Sequence, residues 1–231
     1  ISYEHENIIR IDVDNSKQPN SRWYSGSGIY RDVNLWTGKD VYISHDKLRI
    51  TTLSVNDDMA VIEVCAQLKN IIGHGLEAEC LIEIKKDGQK TASDTQRVVF
   101  RSEQMQTVRV QIPIEHPKKW SPKQPALYEC HITTKFDDKI CDEAVSNFGI
   151  RLLELDPVHG LQINGETVKL RGTCIHHDNG VIGAETFKEA EWYRCKRLKE
   201  AGFNAIRSAH HPMSRAMLDA CDHIGILVMD E

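Results

Sequence analysis

The sequence has no long apolar run, no basic cluster and no closely paired cysteines. A membrane-spanning helix needs roughly 20 consecutive apolar residues, and no run in this chain approaches that length. The formal net charge is -5, without a concentrated lysine and arginine patch. That balance argues against nucleic acid or an anionic membrane as the main partner. The 231 residues and the 40% hydrophobic content are sufficient for two domains with sizeable cores.

Seven cysteines are an odd number, and no two of them have a C-x-x-C spacing. Several fall at apolar positions of predicted strands or helices, where a free cysteine behaves as a small hydrophobic residue. We therefore predict mostly reduced thiols, with one disulfide between neighbouring strands as the alternative. Reduced thiols favour the cytoplasm over the periplasm, although the abrupt N-terminus, already in a strand-like pattern, leaves the compartment open.

Short alternating segments predict an antiparallel, immunoglobulin-like β-sandwich over residues 38–151. Turn signals such as 86–88 and 136–139 separate these segments, and none shows a helical period. Trp120 lies between prolines, which favours a structural indole that clamps a turn over a ligand contact. The eight predicted strands read DVYISH, LRITTLSVN, MAVIEVCAQLKN, AECLIEIKK, TQRVVF, QTVRVQIPI, ALYECHITTKF and ICDEAVSNFGI.

The segment before the sandwich has two short stretches of alternating residues. Alternation predicts one strand around residues 9–13 and a second over residues 29–35. Between them, Trp23 and Tyr24 lie in a loop rich in proline, glycine and serine. The loop either packs over a sheet edge or reaches a ligand site on another domain.

After residue 152 the pattern changes to alternating strands and helices. Asn164-Gly165 predicts a hairpin turn, and a strand over 168–172 is expected to lead into two helices, near 185–201 and 214–224. Gly202 and Gly225 follow these helices, as expected for C-terminal stops. Strand–helix alternation predicts parallel strands whose carboxyl ends share one face, where βα folds bind ligands. The polar residues at those ends are His176, His177, Asp178, Arg207, His210, His211, Asp230 and Glu231.

Two chemistries fit this set of side chains. Imidazoles and carboxylates together suit a zinc or manganese hydrolase, although the spacing matches no closed metal motif. Alternatively, the histidines hydrogen-bond a polyhydroxylated substrate. Arg207, within an apolar strand, requires an anionic partner, since an unpaired buried guanidinium is costly.

Several stretches resemble glycoside hydrolase family 2, the family of β-galactosidase and β-glucuronidase. LRGTCIHHDNGVIGA, LKEAGFNAIRSAHHP and ILVMDE are similar to the start of its catalytic barrel. QPNSRWYSGSGIYRDVNLW resembles the end of its jelly-roll domain, and WSPKQPALYECHI with NFGIR resembles its immunoglobulin-like domain. The resemblance implies three parts: a jelly-roll remnant at 1–37, an immunoglobulin-like β-sandwich at 38–151, and the first strands and helices of a (β/α)8 TIM barrel at 152–231.

The resemblance also implies roles for individual residues. His176 and His210 match histidines that contact the sugar, and Asp178 matches an acid of a β-galactosidase-like subgroup. Arg207 matches an arginine that hydrogen-bonds the catalytic nucleophile. Glu231, with Asp230, matches the acidic end of the third barrel strand, where a substrate contact or a supporting role is implied. His211 departs from the family's Tyr or Asn and receives no role.

The family's acid/base glutamate follows an asparagine, yet no Asn-Glu pair occurs in this sequence. We therefore expect a fragment of a retaining β-glycosidase, β-galactosidase-like and inactive alone, with both catalytic glutamates beyond residue 231. Three strands cannot close a barrel, so an exposed sheet edge is also expected. The expected partner is a β-linked glycoside, with no nucleic acid or membrane. No cofactor or metal site is assigned; a divalent cation, homo-oligomerisation and a carbohydrate-binding role of the sandwich alone stay open.

Overall fold

The computed structural model describes residues 2–17, 28–102 and 104–231. Residues 41–148 form two antiparallel sheets, and residues 153–229 form a hairpin unit followed by three parallel strands with two helices. In the described ranges, no helix is long and apolar enough to cross a membrane. Trp23 and Tyr24 lie outside the described residues.

The sandwich contains eight strands, and all eight coincide with predicted segments. One sheet joins β1, β2, β3 and β6, with β3 in its centre, and the other has the order β5-β4-β7-β8. The strands are β1 Val41–Ile43, β2 Arg49–Val55, β3 Met59–Asn70, β4 Leu76–Lys86, β5 Gln89–Phe100, β6 Gln104–Glu115, β7 Tyr128–Phe136 and β8 Lys139–Phe148.

Alternation along the strands forms the sandwich core. In β3, every second residue from Ala60 to Asn70 is buried, and the intervening residues are half-buried. Ile62 and Leu68 of this strand are fully buried, as is Ile82 of the facing sheet. Period-two patterning places one apolar face of each sheet against the other, which is the packing of a β-sandwich.

All seven cysteines are free thiols. The prediction of reduced thiols thus agrees with the structure, and the alternative of a strand-to-strand disulfide does not. Burial raises the pKa of both Cys80 and Cys130 to about 12, so these two thiols stay protonated at neutral pH.

The second unit begins with a small antiparallel sheet, β9 Leu153–Asp156, β10 Gly160–Ile163 and β11 Glu166–Thr167. Asn164 and Gly165 form the predicted turn, both with positive φ. Parallel strands β12 Gly172–Ile175, β13 Ala205–Ser208 and β14 Leu227–Met229 follow, in that order across the sheet. Helix α1 Lys188–Glu200 connects β12 to β13, and α2 Arg215–Ile224 connects β13 to β14.

The predicted strand over 168–172 is wrong, because β12 begins at Gly172. The side chain of Asn204 binds the backbone of the residues that precede β12. Its Oδ1 accepts from Arg171 N at 2.7 Å, and its Nδ2 donates to Lys169 O at 3.0 Å. This amide takes the place of ladder hydrogen bonds, so parallel pairing starts only at Gly172, opposite Ala205.

The two strands predicted before the sandwich are also wrong. The described residues at 9–13 and 29–35 contain no strand. Ile9 is 84% exposed and Val33 is 76% exposed, so the apolar side chains of these two segments are not packed against an apolar surface. Alternating residues form a strand only when a neighbouring strand supplies hydrogen bonds. The jelly-roll assignment of residues 1–37 therefore stays a prediction.

Trp120 joins the sandwich to the second unit. Its indole is 1% exposed and donates from Nε1 to the carbonyl of Asp222, in α2, at 2.8 Å. The guanidinium of Arg151 lies over the ring, 4.4 Å from a ring centroid. A Cβ on Gly149 would stand 2.7 Å from the Trp120 side chain, so only glycine fits beside it. The structural role predicted for this indole matches these contacts.

Candidate sugar-binding site

Side chains from the ends of three parallel strands converge on one face of the sheet. Arg207 lies opposite Cys174 and Met229 in the strand register, and these three share the face turned away from the helices. The opposite face carries Ile206, which packs in the apolar cluster with α1 and α2. The helices therefore cover one side of the sheet and leave Arg207 on the other.

Arg207 and Glu231 form an ion pair at this face. The Arg207 guanidinium donates from Nη2 to Oε1 of Glu231, and its Nη1 lies 3.6 Å from the Cys174 sulfur. His210 completes the group, because its Nδ1 stands 3.1 Å from Oε2 of Glu231. Each of the three side chains stays between 31% and 40% exposed. The anionic partner that Arg207 requires is thus Glu231 in this chain.

His176 extends the group toward the first strand. Its ring meets that of His210 edge to face, with 5.8 Å between centroids. His177 packs instead against His211 and Tyr30, at 4.9 and 5.2 Å between ring centroids. Burial, followed by the neighbouring His211, lowers the pKa of His177, so this ring is neutral at neutral pH.

Asp178 and Asp230 have different surroundings. Asp178 is exposed, and its backbone carbonyl accepts a hydrogen bond from Arg194. The Asp230 carboxylate accepts from the backbone N–H of Met213 at 2.9 Å, which fastens the loop after β13. The structure therefore brings His176, Arg207, His210 and Glu231 together, while Asp178 lies in the same loop as His176 but outside that group, with its backbone carbonyl bound to Arg194 of α1.

Loss of water around Glu231 raises the pKa of its carboxyl, but hydrogen bonds from Arg207 and His210 and their charges lower it more. The net result is a pKa below the ordinary value of 4.5. A carboxyl with a lowered folded-state pKa stabilises the fold at pH values above its unfolded pKa. That contribution is lost as the pH falls through the folded pKa.

We predict that the Arg207→Ala substitution moves the Glu231 titration midpoint upward. The substitution removes the guanidinium that favours the charged carboxylate. The measurement is a ¹³C NMR titration of the Glu231 side-chain carboxyl in wild type and variant. An unchanged midpoint would show that the ion pair does not exist in solution.

Three residues that support the site were not predicted from the sequence. Arg194 of α1 holds the loop that carries His176. Tyr30 and Arg31 precede the sandwich and contact the loops after β12 and β13, since Tyr30 packs on His177 and Arg31 donates to Pro212 O. The GIYRDVNLW stretch carried the only signal for these two, and its alternation was interpreted as a strand.

A metal centre was one of the two chemistries left open. Among the described residues, no group of three or more His, Cys, Asp or Glu side chains is arranged to hold a metal ion. The four clustered side chains are instead hydrogen-bond donors and acceptors of both charges, partly open to solvent. Such a surface suits the hydroxyl groups of a sugar.

Comparison with known proteins agrees with this chemistry. The model described as "Glycosyl hydrolases family 2" matches residues 41–151, and the model described as "Glycosyl hydrolases family 2, TIM barrel domain" matches residues 157–231. Beta-galactosidase BoGH2A of Bacteroides ovatus is 32% identical over all of this chain and 27% of its own length.

Two solved structures share the fold. A glycosyl hydrolase family 2 member from Bacteroides cellulosilyticus superposes with a TM-score of 0.88 at 35% identity, over 95% of this chain and 30% of that one. A Bacteroides uniformis beta-glucuronidase superposes with a TM-score of 0.82 at 26% identity, over 94% of this chain and 27% of that one. The chain thus spans less than a third of the length of these relatives.

Proposed function

Because the chain belongs to glycoside hydrolase family 2, we propose that it is part of a retaining β-glycosidase and supplies one wall of the sugar pocket. The observation that carries this proposal is the convergence of His176, Arg207, His210 and Glu231 at the carboxyl ends of three parallel strands. In barrels built from such units, the catalytic face is at these carboxyl ends.

The proposed roles follow from the chemistry of each group. His176 and His210 offer ring nitrogens that donate to or accept from sugar hydroxyls. Arg207 offers a rigid fork of donors that suits a carboxylate. In this chain one carboxylate, that of Glu231, accepts from Nη2 of Arg207. It uses only part of the guanidinium fork. We propose that the remaining donors hold a second carboxylate, the catalytic nucleophile of the whole enzyme.

Asp178 and Glu231 are proposed as acceptors for substrate hydroxyls. Glu231 is already ionised and held by Arg207 and His210, so it is unsuited to donate a proton at neutral pH. We therefore assign neither the acid/base nor the nucleophile role to it. Retaining glycosidases use two carboxyl groups about 5–5.5 Å apart, and we place both outside these 231 residues.

The proposed substrate is a β-linked galactoside, with a β-linked glucuronide as the alternative. Two relatives favour these sugars, since one is named a β-galactosidase and the other a β-glucuronidase. Specificity in such pockets depends on a few polar groups from several loops, and this chain carries only some of them.

Hydrolysis of aryl β-galactosides and β-glucuronides tests this proposal. The 231-residue chain alone is expected to show no turnover, whereas a polypeptide that contains the chain within a complete barrel is expected to hydrolyse one of the two. A His176→Ala variant of that polypeptide should lose at least about tenfold in kcat/KM, which corresponds to one hydrogen bond to substrate. Turnover by the chain alone, or none by the complete polypeptide on either sugar, would contradict the proposal.

A further inference from the structure

The loop between β12 and α1, residues 176–187, carries two of the proposed substrate contacts and has little regular structure. Its only regular element is a short 3-10 turn, Gly180–Ile182. Three backbone hydrogen bonds lie within it, all between residues 179 and 183, and the shortest runs from Asn179 N to Gly183 O at 2.7 Å. A loop of this length needs contacts from elsewhere to keep one conformation.

Arg194 supplies those contacts from the side of α1. Its Nη1 donates to the His176 carbonyl at 2.9 Å, and its Nη2 donates to the carbonyl of Asp178 and to Oδ1 of Asn179. One guanidinium thus binds three acceptors within four consecutive residues. The planar fork of arginine can satisfy several acceptors in fixed directions, which a lysine ammonium on its flexible stem cannot reproduce.

A buried carboxylate holds Arg194 in turn. Glu191 lies one helical turn earlier, its side chain is 3% exposed, and its Oε2 stands 3.7 Å from Arg194 Nη1. Its Oε1 accepts from Nδ2 of Asn179 at 3.5 Å. A charge so deeply buried requires a partner. Glu191, Arg194 and Asn179 therefore form one polar group between α1 and the loop, in which Oε2 of Glu191 pairs with Arg194 by charge and accepts no hydrogen bond.

We propose that Arg194, supported by Glu191, is a positioning residue for the sugar site: it fixes the backbone at His176 and Asp178 and so aims the His176 ring. The proposal rests on the function proposed above, in which His176 contacts the sugar. Arg194 lies beneath the loop and contacts its backbone, so it acts on substrate only through the loop.

The test compares Arg194→Lys with Arg197→Ala in the 231-residue chain. Lysine keeps the positive charge beside Glu191, so the fold should persist while the three-acceptor contact is lost. Arg197 is on the same helix and makes an exposed ion pair with Glu200 at 2.9 Å, which makes it a matched control. Amide hydrogen exchange at Asn179 and Gly183 is expected to become about tenfold faster in Arg194→Lys and to stay unchanged in Arg197→Ala.

A second arm measures the effect on the reaction in a polypeptide with the complete barrel. Arg194→Lys is expected to lower kcat/KM about tenfold, and to have little further effect once His176 has been replaced by alanine. That non-additivity separates positioning through His176 from general destabilisation. Equal exchange in Arg194→Lys and Arg197→Ala would overturn the proposal, and so would independent effects of Arg194→Lys and His176→Ala. If the wild-type polypeptide turns over no glycoside, the proposed function fails, and the exchange arm still decides whether Arg194 fixes the loop.

Discussion

Replacing Arg207 by alanine is expected to lower kcat of the complete enzyme about a hundredfold or more. In the proposed site, this guanidinium orients the nucleophilic carboxylate and keeps it ionised. Removing one preorganised donor that acts on a reacting group typically lowers kcat about 10²–10³-fold. The measurement is steady-state hydrolysis of an aryl β-glycoside, with kcat and KM determined separately. A fall mainly in kcat is expected, because orientation of the nucleophile acts on the chemical step.

Two further variants make this prediction specific. Arg207→Lys retains the charge but loses the fork, so its activity should lie between wild type and Arg207→Ala. Arg171→Ala removes an exposed arginine at the amino end of β12, the opposite edge of the same sheet, and should leave kcat unchanged. Equal losses in Arg207→Ala and Arg171→Ala would refute a role for Arg207 in the reaction.

Replacing Trp120 by alanine is expected to lower the free energy of unfolding by about 3–5 kcal/mol, the usual cost of deleting a large buried aromatic side chain. The change removes an indole packed between Gly149 and Arg151, together with its hydrogen bond to α2. This indole is a contact between the sandwich and helix α2 of the second unit. We therefore also expect the two units to unfold in separate transitions, which calorimetry detects.

The matched control is Trp36→Ala, which deletes an indole that is 59% exposed and should cost less than about 1 kcal/mol. Trp120→Phe keeps an aromatic ring but removes the five-membered ring with its Nε1 donor, so the Asp222 carbonyl loses that hydrogen bond. Its expected cost is about 1–2 kcal/mol. A single transition in Trp120→Ala, with a loss no larger than that of Trp36→Ala, would show that the indole does not join the two units.

The sandwich could be predicted because period-two alternation survives wherever one strand face is buried. The strongest example is β3, in which buried and half-buried residues alternate along the whole strand. The same rule failed at residues 9–13 and 29–35, where alternation is present but the alternating aliphatic side chains are exposed. It also failed at 168–172, where the Asn204 side chain binds the backbone. Alternation of apolar residues shows that a segment is able to form a strand. Whether it pairs with another strand depends on residues that are distant in the sequence.

The polar residues at the strand ends were predictable for a similar reason, because parallel strands place their carboxyl ends together. His176, Arg207, His210 and Glu231 converge accordingly. Arg194 could not be found in this way. Two of its three acceptors are backbone carbonyls, and the pattern of side chains in the sequence does not reveal such contacts. In the sequence, Arg194 is also one of several charged residues on a predicted helix.

The stereochemistry of hydrolysis tests the central claim most directly. We propose a retaining β-glycosidase, so a polypeptide that contains this chain and a complete barrel should first release the β-anomer of the sugar from an aryl β-galactoside or β-glucuronide. Proton NMR of the anomeric signals, recorded before mutarotation, measures this product. Initial release of the β-anomer, followed by slow equilibration, is the predicted result. Initial release of the α-anomer would contradict the account, because inversion requires a different separation of the catalytic carboxyl groups.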